Sequence, residues 1–184
     1  MSTTTWKLDG THSQIGFSVK HMMFTTVRGR FGEAEGEIKL NKADPTGSSV
    51  EVTIDAASLD TRVEDRDKHL RSGDFFDVEN FPSLTFRSRE IRGSIDESGG
   101  AFQIIGDLTI RDVTREVTLD ARFEGTGTDP WGGTRAGFSA EATIDRRDFG
   151  LTWNQALEAG GVLVGHDVKI DLQVQAVKIE EGDG

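Results

Sequence analysis

Cysteine is absent from this chain of 184 residues. There can be neither a disulfide frame nor a thiolate nucleophile or metal ligand, and the redox compartment is left open. Long apolar runs are missing too. No window approaches the ~18 uninterrupted apolar residues of a membrane-spanning helix, so no integral membrane segment is expected. The start, MSTTTWKLDG, lacks a basic segment followed by an apolar run, and the expectation is a cytoplasmic chain without a signal peptide. Basic residues are in the minority: 21 Lys and Arg stand against 32 Asp and Glu, a formal net charge of −11. Such a charge repels phosphate backbones and anionic membrane surfaces, which speaks against nucleic-acid binding.

What is there is glycine and alternation. Twenty-two glycines, only 3 prolines and a hydrophobic share of 35% suit a β-rich chain with many turns, its core spread thinly around a barrel or sandwich. No Pro- or Ser-rich linker divides the sequence, so residues 1–184 are expected to form one domain, with an ordered core over about 6–177. Trp6-Lys7-Leu8 alternates briefly; Ile15, Phe17 and Val19 then alternate with Gly16, Ser18 and Lys20 as in a half-buried antiparallel strand. The run 27–40 is broken by Gly29, Gly32 and Gly36, and its apolar parity shifts between Phe31 and Ile38, which predicts a bulge or sharp bend. Runs 50–54, 84–86, 102–110, 117–123, 138–144 and 168–174 continue the pattern. Turns are expected at Ser98-Gly99-Gly100, Asp112-Val113-Thr114 and Pro130-Trp131-Gly132-Gly133. The count is about eight strands, mostly sequential and antiparallel.

One stretch, 59–86, interrupts the strands. Residues 61–72 read as a short helical crossover: Thr61 and Glu64 have capping-box spacing, Glu64/Lys68 and Asp67/Arg71 are (i, i+4) ion pairs, and Gly73 sits where a left-handed C-terminal cap is usual. Only Val63 and Leu70 are apolar within it, so it is expected to lie across one mouth of a β structure rather than to build a core. Phe75, Phe76 and Phe81-Pro82 follow in extended conformation, with Phe76 plugging the barrel end. A second irregular or partly helical excursion, 149–165, carries Trp153 and Leu157 and would face the first.

Candidate chemistry is sparse. Asp9, His12 and Ser13 fall within five residues of a turn, where triad groups rarely converge on one atom, so His12 and Ser13 are read as satisfying backbone groups at a strand start. His21 shares the parity of Phe17 and Val19 and points inward near a barrel mouth, either as a core histidine or as a ligand contact. His69 and His166 add no metal-ligand spacing, so no metal site is expected. The clusters 64–67 and 145–148 have the charges to hold a polar head group or act as acid/base pairs, but charge runs are usually solvated faces and they are read first as structural ion pairs. No glycine run has the form of a phosphate-cradling loop, and no cofactor is expected. The inner surface is more telling. Along 138–145 every other residue is apolar, yet two of the four are alanine, and Gly106 shares the inward parity of its strand. Small inward residues leave space, and an eight-stranded barrel is near the size that holds one small ligand.

Several ordered motifs carry a resemblance: Asp9-x-x-His12-Ser13 with Phe17-x-Val19-Lys20-His21, Val27-Arg28-Gly29-x-Phe31, Arg66-Asp67-x-His69-Leu70-Arg71-Ser72-x-Asp74-Phe75-Phe76-Asp77, Phe81-Pro82, Leu108-Thr109-Ile110 with Val113-Thr114, Phe149-Gly150 and Val168-x-Ile170. In these the sequence resembles the YceI-like family over nearly its whole length. The resemblance implies an all-β, eight-stranded, antiparallel, extended lipocalin-like barrel. It also implies a non-catalytic carrier, storage or sequestering protein for a long polyisoprenoid lipid, of the isoprenoid quinone precursor or prenyl phosphate type, in some relatives as a homodimer. Many relatives carry a secretion signal, and Asp112 stands where many have glycine. The implied lipid contacts are Phe17, Val19, His21, Phe31, Phe76, Phe86, Ile104, Leu108, Leu119, Phe138, Ala140, Ala142, Ile144, Trp153 and Ile170. The competing expectation is a hydrolase or isomerase acting on a lipid-like substrate through His12 or His21 with nearby carboxylates.

Overall fold

The computed structural model describes residues 3–41, 43–93, 100–157 and 161–179; the expected turn residues Ser98 and Gly99, Gly160 in the second excursion and the acidic tail from Glu180 lie outside them. Among the described residues the alternating segments form eleven strands: β1 (Thr3–Leu8), β2 (Gln14–His21), β3 (Thr25–Phe31), β4 (Ala34–Asn41), β5 (Ser49–Asp55), β6 (Leu59–Asp60), β7 (Ser83–Gly93), β8 (Gly100–Ile110), β9 (Val113–Thr128), β10 (Thr134–Asp145) and β11 (Val164–Ile179). The first six are halves of three longer strands. β1 and β2 both pair with β11, at Thr5↔Ile179 and Phe17↔Ile170, so together they fill one position beside it. Likewise β4 and β3 lie beside β1 and β2, and β5 and β6 beside β4 and β3. With β7 to β11 following in order, and β1 returning to β11, the sheet closes as the expected eight-stranded antiparallel barrel.

The three breaks lie side by side. At the second, Gly32 N–H donates to Ser58 O at 3.0 Å and Glu33 N–H to Ser58 Oγ at 3.0 Å, which ties it to the third. At the first, Asp9 N–H donates to Gln175 O at 2.8 Å and Gln175 N–H to Ser13 Oγ at 3.0 Å. A crease therefore runs across three neighbouring strands, and it resets which residues face inward: Trp6 and Leu8 before it, Ile15 after; Phe31 before, Ile38 and Leu40 after. The parity shift read between Phe31 and Ile38 is this crease. Beyond it the backbone packs closely, since a Cβ on Gly29 would come within 2.4 Å of the Phe17 ring and 2.8 Å of Thr61 Cγ2.

The crossover is one helix, α1 (Glu64–Arg71), shorter than the expected 61–72. Its N-cap is Val63, without a side-chain cap, so Thr61 and Glu64 do not form a capping box. Thr61 instead donates its N–H (2.9 Å) and its hydroxyl to Asp67 Oδ1, and both residues are buried. Asp67 thus makes no pair with Arg71, which donates to Ala57 O and Leu59 O at 3.0 Å; the expected Glu64–Lys68 pair is present at 3.6 Å. The left-handed residue after the helix is Asp77 (φ 49°), not Gly73, and Val63 is exposed. Polar bonds to the β6 end, with Leu70 packed on the core, hold this helix where an apolar stripe would be too narrow. The aromatic plug is also reassigned: Phe75 is buried at 6% exposure, while Phe76 is half-buried and meets the Phe31 ring edge-on at 5.7 Å.

Two smaller expectations change. At the β8–β9 turn the left-handed residue is Arg111 (φ 58°), so Asp112 does not need the glycine-like conformation. The space beside Gly106 is already filled, since a Cβ there would lie 2.7 Å from the Phe86 ring and 2.5 Å from Arg87 O. The second excursion begins with a 3-10 turn, Arg146–Phe149, closed by left-handed Gly150, and is otherwise irregular among the described residues, with one bridge at Ala156↔Val162.

Candidate functional site

The inward rows of the strands do not fill the barrel. They enclose a cavity of about 520 Å³ that runs from the α1 end along the interior to Ser48 and Ser49 at the far end. That lies within the ~300–1,000 Å³ of small-molecule sites. Its wall is built from alternate residues: Ile15, Phe17, Val19 and His21 on β2; Ile104, Leu108 and Ile110 on β8; Val117, Leu119 and Ala121 on β9; Val168 to Val174 in even steps on β11. Trp6, Phe123, Ala136 and Ala176 pack solid on one side of the far end and do not line it.

Of the fifteen residues expected to touch a ligand, Phe17, Val19, His21, Phe31, Phe76, Phe86, Ile104, Leu108, Leu119, Phe138, Ala140, Ile144, Trp153 and Ile170 all stand on this wall. Ala142 does not; it shares the inward face of β10 but packs against the core without bordering the space. Ala140 faces Ala121 on one side and Leu172 on the other, so small side chains meet across two strands and leave the room between them.

Polar groups gather at the α1 end. Asp65, Arg66 and His69 reach the cavity from the helix, and Arg146 from the opposite excursion. Arg66 Nε donates to Thr61 Oγ1 at 2.8 Å and Nη2 to Thr61 O at 2.7 Å. His69 Nε2 lies 2.9 Å from Asp74 Oδ2, and its ring meets Phe75 (5.1 Å) and Trp153 (4.6 Å) edge-on. Arg146 is the least expected of them. It is 3% exposed, and it is held by carbonyl oxygens alone: Gly165 (2.8 Å), Leu151 (2.7 Å), Trp153 (2.9 Å) and Val164 (3.2 Å). Its guanidinium also lies 6.0 Å from the Phe75 ring centroid. Burial pulls its pKa down, but an arginine remains charged. Reading 145–148 as paired charges missed this residue; only Asp145 and Arg147 pair, at 2.6 Å, which holds Asp145 down to about 2. The available signal was parity, since Arg146 follows Phe138, Ala140, Ala142 and Ile144 in even step.

The histidines weighed for chemistry separate. His12 is on the outer surface, its side chain 61% exposed and its Nδ1 2.7 Å from Asp9 Oδ2. Ser13 exchanges hydrogen bonds with the Gln175 backbone, as expected for a strand start. His21 is at the cavity rim, and no carboxylate pairs with it among the described residues. Asp9 serves a different end. It binds Arg135 Nη1 at 2.6 Å, and Arg135 Nε in turn binds Asp129 at 2.9 Å, which joins the first break to the β9–β10 turn. Arg135, with smaller help from His12 and Thr11, holds the Asp9 carboxyl far below the usual carboxylate range. A depressed pKa contributes stability that is complete above ~4, the unfolded value, and is lost as the pH falls below it. The difference in melting temperature between the unmodified protein and Asp9→Asn should therefore narrow between pH 5 and about pH 2. An unchanged difference across that range would mean that the ion pair contributes nothing.

Residues 6–176 match the family described as the YceI-like domain. A UPF0312 protein of Pseudomonas aeruginosa is 42% identical over 148 residues, covering 79% of this chain and 75% of its own. Among solved structures, the YceI protein of Campylobacter jejuni superposes with a TM-score of 0.73 at 29% identity, over 88% of this chain and 90% of the other. A polyisoprenoid-binding domain from Saccharophagus degradans, implicated in plant cell wall breakdown, superposes at 0.70 over 96% and 99% of the two chains; its 15% identity makes that likeness one of fold.

Proposed function

The chain belongs to the YceI-like family, and from that premise we propose that it binds a long polyisoprenoid lipid inside the barrel, as a carrier, storage or sequestering protein with no chemistry of its own. The observation that carries this reading is the cavity, about 520 Å³ walled by the inward rows of the strands, mostly apolar along its length, with its charged groups gathered at the α1 end. A flexible branched hydrocarbon fits such a space because it needs apolar contact and few directed bonds. The polyisoprenoid-binding domain of Saccharophagus degradans shares the fold, which supports the ligand class.

Burying a long isoprenoid removes on the order of 800 Å² of apolar surface, nominally about 20 kcal/mol at ~25 cal/mol/Å². Association and ordering costs remove much of that, so affinities between about micromolar and nanomolar are expected. Solvent extraction of the purified protein followed by mass spectrometry should yield a polyprenyl compound. Adding such a compound at about 100 times its Kd should stabilise the emptied protein by about 2.7 kcal/mol. Preparations from several hosts that hold no lipid, with no shift in melting temperature on addition, would sink the proposal.

A further inference from the structure

Three large apolar residues in a row, Met22, Met23 and Phe24, form the tip between β2 and β3, and they are 41%, 65% and 83% exposed. Their backbone is unusual. Met22 (φ 51°) and Met23 (φ 64°) both occupy the left-handed region, which bulky residues rarely enter and which glycine or asparagine would fill with less strain. Strain held in exposed apolar side chains points to a use for them.

The position of the tip indicates the use. His21, the residue before it, lines the cavity, and Met22 N–H donates at 2.8 Å to the carbonyl of Leu163, another lining residue. Val63, at the start of α1, is also exposed at this end. The tip therefore stands on the rim of the cavity, beside the polar collar.

We propose that the Met22–Phe24 tip docks the protein on a lipid bilayer, so that a polyisoprenoid passes between bilayer and cavity without crossing water; the inference rests on the lipid-binding reading above. A convex tip exposing roughly 400 Å² suits a deformable apolar phase. It falls well short of the ~800 Å² per partner of a stable dimer. The net charge of −11 opposes anionic surfaces, so the attachment is apolar, favours neutral phosphatidylcholine, and changes little with salt.

The test uses the intact protein loaded with a polyprenyl alcohol, neutral phosphatidylcholine vesicles, and the pair Met23→Asp/Phe24→Asp. Aspartate enters the left-handed region more readily than methionine, so the double variant relieves strain at position 23 and should fold as well as the parent. The unmodified protein should float with the vesicles and transfer its lipid at a rate that rises with vesicle concentration. The double variant should lose both by at least tenfold, with unchanged melting temperature and unchanged lipid content at equilibrium. Trp131→Asp, which removes an 86% exposed side chain at the opposite end, should behave as the parent does. The proposal is overturned if the parent does not float, if the double variant floats and transfers normally, or if Trp131→Asp shows the same loss. Sedimentation showing a dimer that only the double variant lacks would also overturn it, in favour of a second copy as occupant. A parent that floats through the tip yet holds no polyprenyl compound would leave docking standing and remove the lipid-binding reading; lipid held without flotation would do the reverse.

Discussion

Ala140→Trp should give a protein that melts within a few degrees of the parent and carries no lipid. Ala140 stands on the cavity wall, half-buried, between Ala121 and Leu172 on the neighbouring strands. In a solid core a large indole at such a position would overpack its neighbours and destabilise the fold by about 1–3 kcal/mol or more. Here the ring enters empty space and buries apolar surface of its own, so the two effects offset in the empty protein. The ligand meets the opposite result, because the indole occupies the path of its chain. Lipid affinity should fall about 100-fold or more, equivalent to roughly 2.7 kcal/mol. Thr143→Trp, on the exposed outer face of the same strand, is the control and should keep its lipid. Extraction and thermal melting of the two variants decide the matter: an unfolded Ala140→Trp would mean a filled interior, and a folded one that still holds lipid would put the ligand elsewhere.

The largest loss of stability is expected at Arg146. Exchanging a buried charge for an apolar side chain is often neutral, because the desolvation of the charge is relieved. That argument fails here, since Arg146→Met leaves the carbonyl oxygens of Leu151, Trp153 and Gly165 without the donor they have in Arg146, while Val164 O keeps its bond from Asn154 Nδ2 at 2.7 Å. Each buried acceptor left unsatisfied costs about 1–3 kcal/mol, so a loss of roughly 4 kcal/mol or more is expected. For a chain of this size that lowers the melting temperature by about 10 °C or more. Arg146→Lys should recover little, because one ammonium lacks the spread of a guanidinium fork. Arg147→Ala, next in sequence but paired on the surface with Asp145, should cost no more than about 1 kcal/mol. Equal losses at 146 and 147 in chemical denaturation would show that the carbonyl cage contributes nothing.

The strands were legible because inward and outward residues alternate in the sequence itself. Phe17-x-Val19-x-His21 and Phe138-x-Ala140-x-Ala142-x-Ile144 each display their inner face without reference to any other part of the chain. The same rule applied too simply produced the misreadings. Gly106 looked like an opening, but the Phe86 ring from β7 fills that space. Ala142 has the right parity and small size, yet it packs, partly buried, against the core and does not border the cavity. Thr61 has capping spacing to Glu64, but the buried Asp67 carboxylate, able to accept two bonds at once, takes its donors.

By its own order of residues the chain determined the alternation, the bend between Phe31 and Ile38, the place of the helical crossover, and through its motifs the family. These are local properties, fixed by the period of two in a strand and by the residue types that end it. Only the tertiary structure decided that three breaks align into one crease, that Arg135 reaches Asp9 across 126 residues, that carbonyl groups cage Arg146, and that Met22 to Phe24 stand at the rim of a cavity. Each of these depends on which distant segments the closing of the barrel brings together, and burial then sets the strength of every charge and hydrogen bond among them.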